Sequence, residues 1–307
     1  MDFKGKTILV TGGTGSIGSE IAREVIRRGA TARVLSNDEN STYNLMKELG
    51  EVHARYLIGD VRDPERVRLA MRGVAGVFHA AAMKHIHISE YNPREAVLTN
   101  VLGTQNVLSA AIEQNAFMVN ISTDKAVAPT NAMGSSKLLA EKVVAAMGRN
   151  LASPLMYSVR FGNVLGSRGS FLHTIMACLK DNQPVPLTDL GMTRFLMTIP
   201  QAAKMCVESL DFAKNGDTVI LKMPKVKIPD FVAAVCGEGY PTDIVGIREG
   251  ERLSEQLMTP EEAMHVKEIN GYYIINYSTR GKCFPSEWDS ACPPYLTVKQ
   301  IKEMLPP

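Results

Sequence analysis

The chain has 307 residues, of which 45% are hydrophobic, so it can bury the core of one large domain or of two coupled ones. Its 34 basic residues nearly balance its 32 acidic residues, which argues against a dedicated nucleic-acid binder, since such a protein needs a positive field to collect phosphates. Five widely spaced cysteines without a CxxC pair argue against a disulfide framework or a zinc site and predict buried thiols in a reducing compartment; they are Cys178, Cys206, Cys236, Cys283 and Cys292.

The first predicted strand, residues 6–10, contains a short apolar run, so we expect no signal peptide or membrane span and a soluble, cytoplasmic protein. The strand is followed by TGGTGSIG and by an amphipathic helix that runs through Arg28. Glycines in this loop let the backbone turn tightly and approach a pyrophosphate, whose charge is stabilised at the N-terminus of the helix. This context favours a dinucleotide site over a purely structural turn, and we expect the cofactor to contact Gly12, Thr14, Gly15, Ser16, Ile17 and Gly18.

The second predicted strand, residues 32–35, should end beside the adenosine ribose, where NAD-preferring folds usually place an acid. Here Ser36 and Asn37 follow the strand, and neither side chain would repel a 2′-phosphate. We therefore expect NADP to be favoured. NAD stays possible, because no arginine follows to hold the phosphate and Asp38 could turn inward.

Two further strand ends should contribute to the cofactor site. After residues 56–60, Asp60 and Val61 could hold the adenine edge, or this turn could instead cap a helix over residues 64–71. Residues 74–82 predict another strand that runs into small side chains, where a nicotinamide and its ribose could pass close to the backbone; these are Ala80, Ala81 and Ala82.

The segment 122–137, STDKAVAPTNAMGSSK, carries a concentration of polar groups that is unusual for an ordinary loop. An apolar run ends at its start and residues 133–147 show helical spacing, so the segment is a strand end, a loop and a helix. The carboxyl end of a parallel strand opens into the ligand crevice of its sheet. The alternative is a solvated loop with an ordinary Asp–Lys pair, which the glycine motif disfavours. The candidate catalytic residues are Thr123, Asp124, Lys125, Met133 and Lys137.

The alternation of strands and helices predicts an α/β fold with a doubly wound parallel sheet through about residue 164. We expect residues 1–164 to form a dinucleotide-binding domain. Residues 165–307 should form mainly a smaller substrate-binding region, because prolines are scattered there among short elements. A strand near residues 218–222 should return to the main sheet, and residues 298–305 should close the chain as a helix.

Several motifs together resemble the extended short-chain dehydrogenase/reductase family: TGGTGSIG, GDVRD, HAAAMKH, STDKA with a lysine four residues after Met133, and RFGNVLGSRGS. Within that family the chain is most similar to the nucleotide-sugar 4,6-dehydratases of capsule, flagellin and surface-glycan synthesis, which act on UDP-N-acetylglucosamine. The resemblance runs from Thr7 to Leu305. It implies a Rossmann fold, NADP or NAD as the cofactor, and a homo-oligomer.

The resemblance also implies a reaction: C4 of the sugar is oxidised, the C5 proton is removed, water leaves from C6, and hydride returns to C6. Lys125 would be the C5 base, which requires that burial or the charge of Lys137 lowers its pKa, and Asp124 would protonate the leaving C6 hydroxyl. Most of the family has tyrosine where this chain has Met133, whose thioether cannot accept a proton. The base for the C4 hydroxyl is therefore open among Lys137, Asp124 and a water. We predict Lys137, with Thr123 as its hydrogen-bond partner.

A UDP site is implied by the same resemblance, since arginine suits a diphosphate and glutamate suits ribose hydroxyls. Lys84 and His85 should face the same crevice, although His85 could equally be structural. The residues assigned to the nucleotide are Asn163, Arg168, Ser170, Arg194, Arg248 and Glu251.

Two alternative functions remain. A nucleotide-sugar 4-epimerase would have no use for Lys125, and a non-catalytic NADP-binding regulator would need none of the catalytic groups.

Overall fold

The computed structural model describes residues 1–278, 280–281 and 288–306, so Cys283 lies outside the described residues. The strands of the described residues are β1 (Thr7–Thr11), β2 (Thr31–Ser36), β3 (Ala54–Ile58), β4 (Gly76–His79), β5 (Phe117–Thr123), β6 (Met156–Phe161), β7 (Asn163–Leu165), β8 (Val185–Leu187), β9 (Thr193–Thr198), β10 (Thr218–Leu221), β11 (Lys225–Lys227), β12 (Thr242–Ile244), β13 (Val266–Ile269) and β14 (Tyr272–Ile275).

The main sheet of this described part has nine strands in the order β13-β14-β10-β6-β5-β4-β1-β2-β3. The strands from β10 to β3 pair in parallel, whereas β14 pairs antiparallel with β10 and β13. The chain order reverses between β1 and β4, which creates a switch point at the carboxyl ends of these two strands. This arrangement confirms the predicted doubly wound parallel sheet.

Helices connect the strands: α1 (Ser16–Arg27), α2 (Glu39–Leu49), α3 (Pro64–Met71), α4 (Ile86–Tyr91), α5 (Pro93–Ala96), α6 (Gly103–Glu113), α7 (Ala132–Asn150), α8 (Phe171–Lys180), α9 (Ile199–Glu208), α10 (Ile228–Cys236), α11 (Pro260–Ala263) and α12 (Val298–Met304). A π-helical turn, Val97–Leu102, and two 3-10 turns, Asp124–Ala126 and Ser209–Asp211, complete the helical elements of the described chain. Within the residues described, no helix combines the length and apolarity needed to cross a bilayer.

Apolar side chains of β1 alternate between two cores on opposite faces of the sheet. Ile8 packs in one core with Ile21 of α1, and Leu9 packs in the other with Val67 of α3. Burial on both faces explains the continuous apolar run of this strand. A third core, which includes Ile175, lies among α8, α10 and α12, where β7, β9 and β11 form one small sheet and β8 and β12 another.

Several predicted boundaries differ from the structure. β3 ends at Ile58 and β4 ends at His79, so residues 60–61 and 80–82 lie in loops beyond the strands. The predicted helix over residues 64–71 is confirmed as α3, and its N-terminus is capped by Asp63. Among the four described cysteines, a buried thiol is confirmed for Cys206 alone. The other cysteines in the described part of the chain are free but partly exposed, which corrects the prediction for Cys178, Cys236 and Cys292.

Candidate active site

The carboxyl ends of the parallel strands open into a crevice with a volume of about 1120 Å³. It lies at the switch point between β1 and β4, where open parallel sheets bind ligands. Every predicted site residue lines this crevice except Asp124, whose side chain is fully buried behind its wall. The fold therefore brings the residues predicted for the cofactor, the sugar and the nucleotide to one place.

The glycine loop between β1 and α1 leaves no space for side chains. A Cβ atom at Gly12 would lie 2.6 Å from the backbone nitrogen of Ala81, and one at Gly18 would lie 2.3 Å from the carbonyl oxygen of Gly12. Gly12 also has a φ of +60°, which favours glycine. Gly15 precedes α1 and supplies no capping side chain, so no side-chain oxygen occupies the first amides of the helix. Close backbone packing and an uncapped N-terminus fit the pyrophosphate of a dinucleotide.

The end of β2 presents hydroxyl groups rather than a carboxylate. Ser36 Oγ lies 2.7 Å from Thr14 Oγ1. Asp38 does not turn inward, because its side chain caps α2 by accepting a hydrogen bond from the backbone amide of Ser41. The contact with Ser41 holds the pKa of Asp38 below its usual value. Asp38 lines the crevice, but its carboxylate is thus engaged at the N-terminus of α2, and the residue at the end of β2 is Ser36 rather than an acid.

Asp60 and Val61 line the crevice just beyond β3. Asp60 Oδ2 lies 2.7 Å from an Arg62 guanidinium nitrogen and accepts a long hydrogen bond of 3.4 Å from Asn37 Nδ2. The hydrogen bond from Arg62 holds the pKa of Asp60 below its usual value. A charged Asp60 can accept hydrogen bonds from a ligand in the crevice but cannot donate them.

Arg168 lies at the cofactor end of the crevice, which differs from its expected place beside the UDP moiety. Its guanidinium donates to the carbonyl oxygen of Thr14 at 2.7 Å and to Ser41 Oγ at 3.2 Å. Its backbone amide donates to Ser16 Oγ at 2.9 Å. The ammonium of Lys84 donates to the carbonyl oxygen of Arg168 from the opposite wall. Arg168 therefore bridges the glycine loop and the N-terminus of α2.

Two histidines of the HAAAMKH motif have different surroundings. His79 is fully buried, with Nδ1 2.7 Å from Thr11 Oγ1 and Nε2 3.0 Å from Thr104 Oγ1. Burial lowers the pKa of His79 to about 3, so this ring is neutral and links β1, β4 and α6 as a structural residue. His85 lies at the crevice beside Gly169, where burial also lowers its pKa.

Asn100, in the π-helical turn, fixes the loop that follows β4. Its Oδ1 accepts from the backbone amide of Met83 at 2.8 Å, and its Nδ2 donates to the Met83 carbonyl oxygen at 3.0 Å and to Ser136 Oγ at 2.9 Å. These bonds tie the loop to α7 one residue before Lys137. Sequence analysis missed this residue because its partners lie far from it along the chain.

The end of β5 carries the predicted acid and lysine. Lys125 Nζ lies 2.9 Å from Asp124 Oδ1 and 3.3 Å from Asn163 Oδ1. Thr123 Oγ1 donates to the same Asp124 oxygen at 3.0 Å, so Thr123 is a partner of Asp124 and not, as predicted, of Lys137. The second oxygen, Asp124 Oδ2, is buried and has no hydrogen-bond partner among the residues described. This arrangement holds an ion pair at the crevice wall with one carboxylate oxygen unused.

Glu255 is a further acid of the site, and sequence analysis missed it. Its Oε1 lies 3.4 Å from Lys125 Nζ and 3.9 Å from Arg194 Nε, its side chain is nearly fully buried, and its Oε2 has no hydrogen-bond partner within the described chain. Burial lowers the pKa of Lys125, but the carboxylates of Asp124 and Glu255 outweigh burial and raise it. The expected lowering of the Lys125 pKa is therefore wrong for this state of the protein.

The pKa of Lys137 is shifted in the opposite direction to that of Lys125. Burial lowers the pKa of Lys137 to about 8, and the charge of Glu141 only partly opposes this effect. Its Nζ donates to the carbonyl oxygen of Ile121 at 2.6 Å. Met133 lies one turn earlier on α7, and its side chain is buried and lines the crevice. Lys137, rather than Lys125, is thus the lysine that loses its proton more easily.

The remaining residues predicted for the nucleotide lie toward the C-terminal region. The Arg194 guanidinium donates to three backbone carbonyls, one on its own strand and two on the segment 252–253. Glu251 Oε2 accepts from Thr188 Oγ1 at 3.0 Å, and Ser170 Oγ contacts the His173 ring at 3.2 Å. Arg248 is exposed on the crevice rim, where its charge is available to a ligand.

Relatives of this chain cover nearly its whole length. The polysaccharide biosynthesis protein family matches residues 8–277. The "Uncharacterized membrane protein MJ1061" of Methanocaldococcus jannaschii is 42% identical over 99% of this chain and 96% of its own length. A "UDP-N-acetylglucosamine 4,6-dehydratase (inverting)" of Campylobacter jejuni is 37% identical over 91% of this chain and 85% of its own. A "UDP-glucose 4-epimerase" of Rickettsia felis is 33% identical over 99% and 96%.

Solved structures agree with this relationship. Pen from Bacillus thuringiensis superposes with a TM-score of 0.92 at 38% identity, covering 99% of this chain and 98% of its own. DesIV, a dTDP-glucose 4,6-dehydratase from Streptomyces venezuelae, shares the fold with a TM-score of 0.72 at 21% identity, covering 80% of this chain and 86% of its own. The resemblance to short-chain dehydrogenases/reductases is thereby confirmed. The chain belongs to the polysaccharide biosynthesis protein family and is an enzyme of the nucleotide-sugar dehydratase/epimerase superfamily.

Proposed function

We propose that the protein is a UDP-N-acetylglucosamine 4,6-dehydratase, a lyase that forms a UDP-4-keto-6-deoxy sugar. The observation that carries this proposal is the contact of 2.9 Å between Lys125 Nζ and Asp124 Oδ1 at the wall of the crevice. Elimination of water needs a base at C5 and an acid at C6, and this pair supplies one group of each type. A 4-epimerase has no such requirement, because its 4-keto intermediate only has to rotate in the site and be reduced from the other face.

A bound nicotinamide would accept hydride from C4 and return it to C6. Lys137 would take the proton of the C4 hydroxyl, since its pKa of about 8 gives it a neutral fraction near neutral pH. Met133 has no basic atom and would act through packing alone. The cofactor would be NADP, because Ser36 ends β2 and Asn37 follows it, while Asp38 is held as a helix cap.

Lys125 must lose a proton before it can act as the C5 base. In the resting site it is an ammonium ion, because two carboxylates raise its pKa. When a sugar excludes water from the crevice, the ion pair loses solvation, and transfer of the proton from Lys125 Nζ to Asp124 Oδ1 gives a neutral amine and a neutral acid. The amine then removes the C5 proton, and Asp124 passes the transferred proton to the leaving C6 oxygen as water departs. When hydride adds to C6, the Lys125 ammonium would return a proton to C5 and regain one from solvent, to which Lys137 would release the proton of the C4 hydroxyl.

The sugar's nucleotide would lie toward the C-terminal region. Arg248 is exposed at the rim and suits a diphosphate, while Glu251 suits ribose hydroxyls. The Campylobacter relative's name supports a UDP-N-acetylglucosamine dehydratase. The Rickettsia relative's name supports the second candidate, a UDP-sugar 4-epimerase.

Mass spectrometry after incubation with UDP-N-acetylglucosamine and NADP separates the possibilities. We expect a product that has lost one water. A product of unchanged mass that separates chromatographically from the substrate would instead identify an epimerase. No conversion of this or any other UDP-hexose would favour a non-catalytic NADP-binding regulator and would refute the proposal.

A further inference from the structure

Arg168 occupies a position from which it can determine the choice between NADP and NAD. It follows β7 in the sequence GSRGS, where Gly166 and Gly169 have φ values of +73° and +68°. These two left-handed glycines fold the loop back over the crevice. The loop is held on both sides, since the Arg168 amide donates to Ser16 Oγ and the Lys84 ammonium donates to the Arg168 carbonyl oxygen.

The guanidinium points to the corner where the adenosine ribose of a dinucleotide is expected. Its two terminal nitrogens reach the Thr14 carbonyl oxygen and Ser41 Oγ, and thus span the gap between the glycine loop and α2. Ser36, at the tip of β2, lies against Thr14 in the same corner. In parallel dinucleotide folds this strand tip is the place where the ribose 2′ position is recognised.

The charge of this corner is also suited to a phosphate. The hydrogen bonds that Arg168 makes in the described chain go to neutral oxygens, so its charge is not neutralised by a bonded carboxylate. The nearby carboxylate of Asp38 caps α2 by accepting from the amide and the hydroxyl of Ser41, and the charge of Arg168 contributes to lowering its pKa. Guanidinium groups bind phosphate oxygens through paired hydrogen bonds.

We propose that Arg168 binds the 2′-phosphate of NADP and is the residue that gives this chain its preference for NADP over NAD. Sequence analysis placed no arginine after β2 for this purpose, and the loop after β7 supplies one from about 130 residues further along the chain. The inference rests on the proposed dinucleotide site but not on the proposed dehydratase reaction. It can therefore be tested by binding alone, in the absence of any sugar.

Calorimetry of the purified chain with NADP and with NAD tests this role in the variants Arg168→Gln and Arg168→Lys. We expect Arg168→Gln to weaken NADP binding by about tenfold or more and to change NAD binding by less than about threefold, since a charged hydrogen bond is lost only with NADP. Arg168→Lys keeps the positive charge but loses the paired N–H donors of the guanidinium. Its affinity for NADP should therefore lie between those of wild type and Arg168→Gln. Arg27→Gln removes one positive charge from the end of α1 and should alter neither affinity.

Three results would overturn the proposal. Equal weakening of NADP and NAD by Arg168→Gln would place the guanidinium on the pyrophosphate. No change with either cofactor, or a wild-type preference for NAD, would leave Arg168 without a role in this choice. If the variants do not fold, wild-type affinities for 2′,5′-ADP and 5′-ADP decide the question: tighter binding of 2′,5′-ADP that weakens with salt supports the proposal, and equal affinity refutes it.

Discussion

Glu255 Oε1 lies 3.4 Å from Lys125 Nζ, although Glu255 is 130 residues further along the chain, and Glu255 Oε2 has no hydrogen-bond partner within the described residues. Lys125 is thus held between two carboxylates, of which only Asp124 is its sequence neighbour. Each carboxylate stabilises the ammonium form of Lys125. We therefore expect Glu255 to act as a positioning residue that sets how firmly the Asp124–Lys125 pair holds its proton.

Glu255→Gln should lower the pH at which this pair loses its proton. Because Glu255 raises the pKa of Lys125, its removal lets the amine deprotonate earlier as pH rises, and Asp124 then has no proton to give to the C6 oxygen. We expect the alkaline limb of water elimination to move to lower pH by about one unit or more. The measurement is the pH profile of product formation followed by mass spectrometry.

The matched control for Glu255→Gln is Glu249→Gln, which removes an exposed carboxylate from the same C-terminal segment. That variant should keep the wild-type profile. If Glu255→Gln folds normally and its alkaline limb stays at the wild-type pH, Glu255 does not control the proton shared by Asp124 and Lys125.

Lys125→Ala should separate the two halves of the proposed reaction. The variant loses the C5 base, so water loss and solvent deuterium exchange at C5 should disappear. Oxidation at C4 and binding of NADP should persist, since Lys137 and the glycine loop are unchanged. Exchange can be followed by nuclear magnetic resonance in deuterated water, and cofactor reduction by absorbance. Exchange at C5 that continues in Lys125→Ala would assign the base to another residue.

The proposed C4 base, Lys137, makes a prediction about pH. A pKa of about 8 means that the neutral amine increases as pH rises through that value, so the single-turnover rate of C4 oxidation should rise with it. Lys137→Ala should lose about 10²-fold or more in this step, the lower end of the contribution of a general base. Met133→Ala should lose much less, through packing alone. A wild-type rate in Lys137→Ala would contradict the assignment.

Arg160 should contribute strongly to stability. Its guanidinium lies buried in β6, 2.6 Å from Glu141 Oε2 on α7 and 2.9 Å from Glu262 Oε2 on α11. Arg160→Met would leave two buried carboxylates without a counter-ion, which we expect to reduce the free energy of unfolding by about 3–5 kcal/mol near neutral pH. Urea denaturation measures the difference. Arg68→Met, which breaks an exposed pair with Glu113, should change it little.

The loss of unfolding free energy in Arg160→Met should become smaller at acidic pH. Burial raises the pKa of Glu262, but the charge of Arg160 and its hydrogen bonds outweigh burial and lower it in the folded protein. A carboxyl group whose pKa is lower in the folded than in the unfolded protein stabilises the fold at pH values above its unfolded pKa. This stabilisation is lost as the pH falls through the folded pKa. A difference between wild type and variant that stays constant from neutral to acidic pH would contradict this electrostatic account.

Local sequence patterns predicted those parts of the site that are formed by neighbouring residues. The glycine loop, the end of β5 and the first turn of α7 each carry their chemistry within one short segment, so periodicity and motif spacing were sufficient to locate them. The roles of Arg168 and Glu255 depend on contacts between segments more than 100 residues apart. The pKa of Lys125 was predicted in the wrong direction because Asp124, its sequence neighbour, and the distant Glu255 together outweigh burial. Only the contribution of Glu255 was hidden from the sequence.

The most direct test of the proposed reaction follows the hydrogen that leaves C4. UDP-N-acetylglucosamine deuterated at C4 is incubated with the protein and NADP, and the product is examined by mass spectrometry and nuclear magnetic resonance. The proposal predicts a 4-keto-6-deoxy sugar that carries the deuterium at C6. Deuterium that returns to C4 in a sugar that has kept its C6 hydroxyl would contradict the proposal and identify an epimerase.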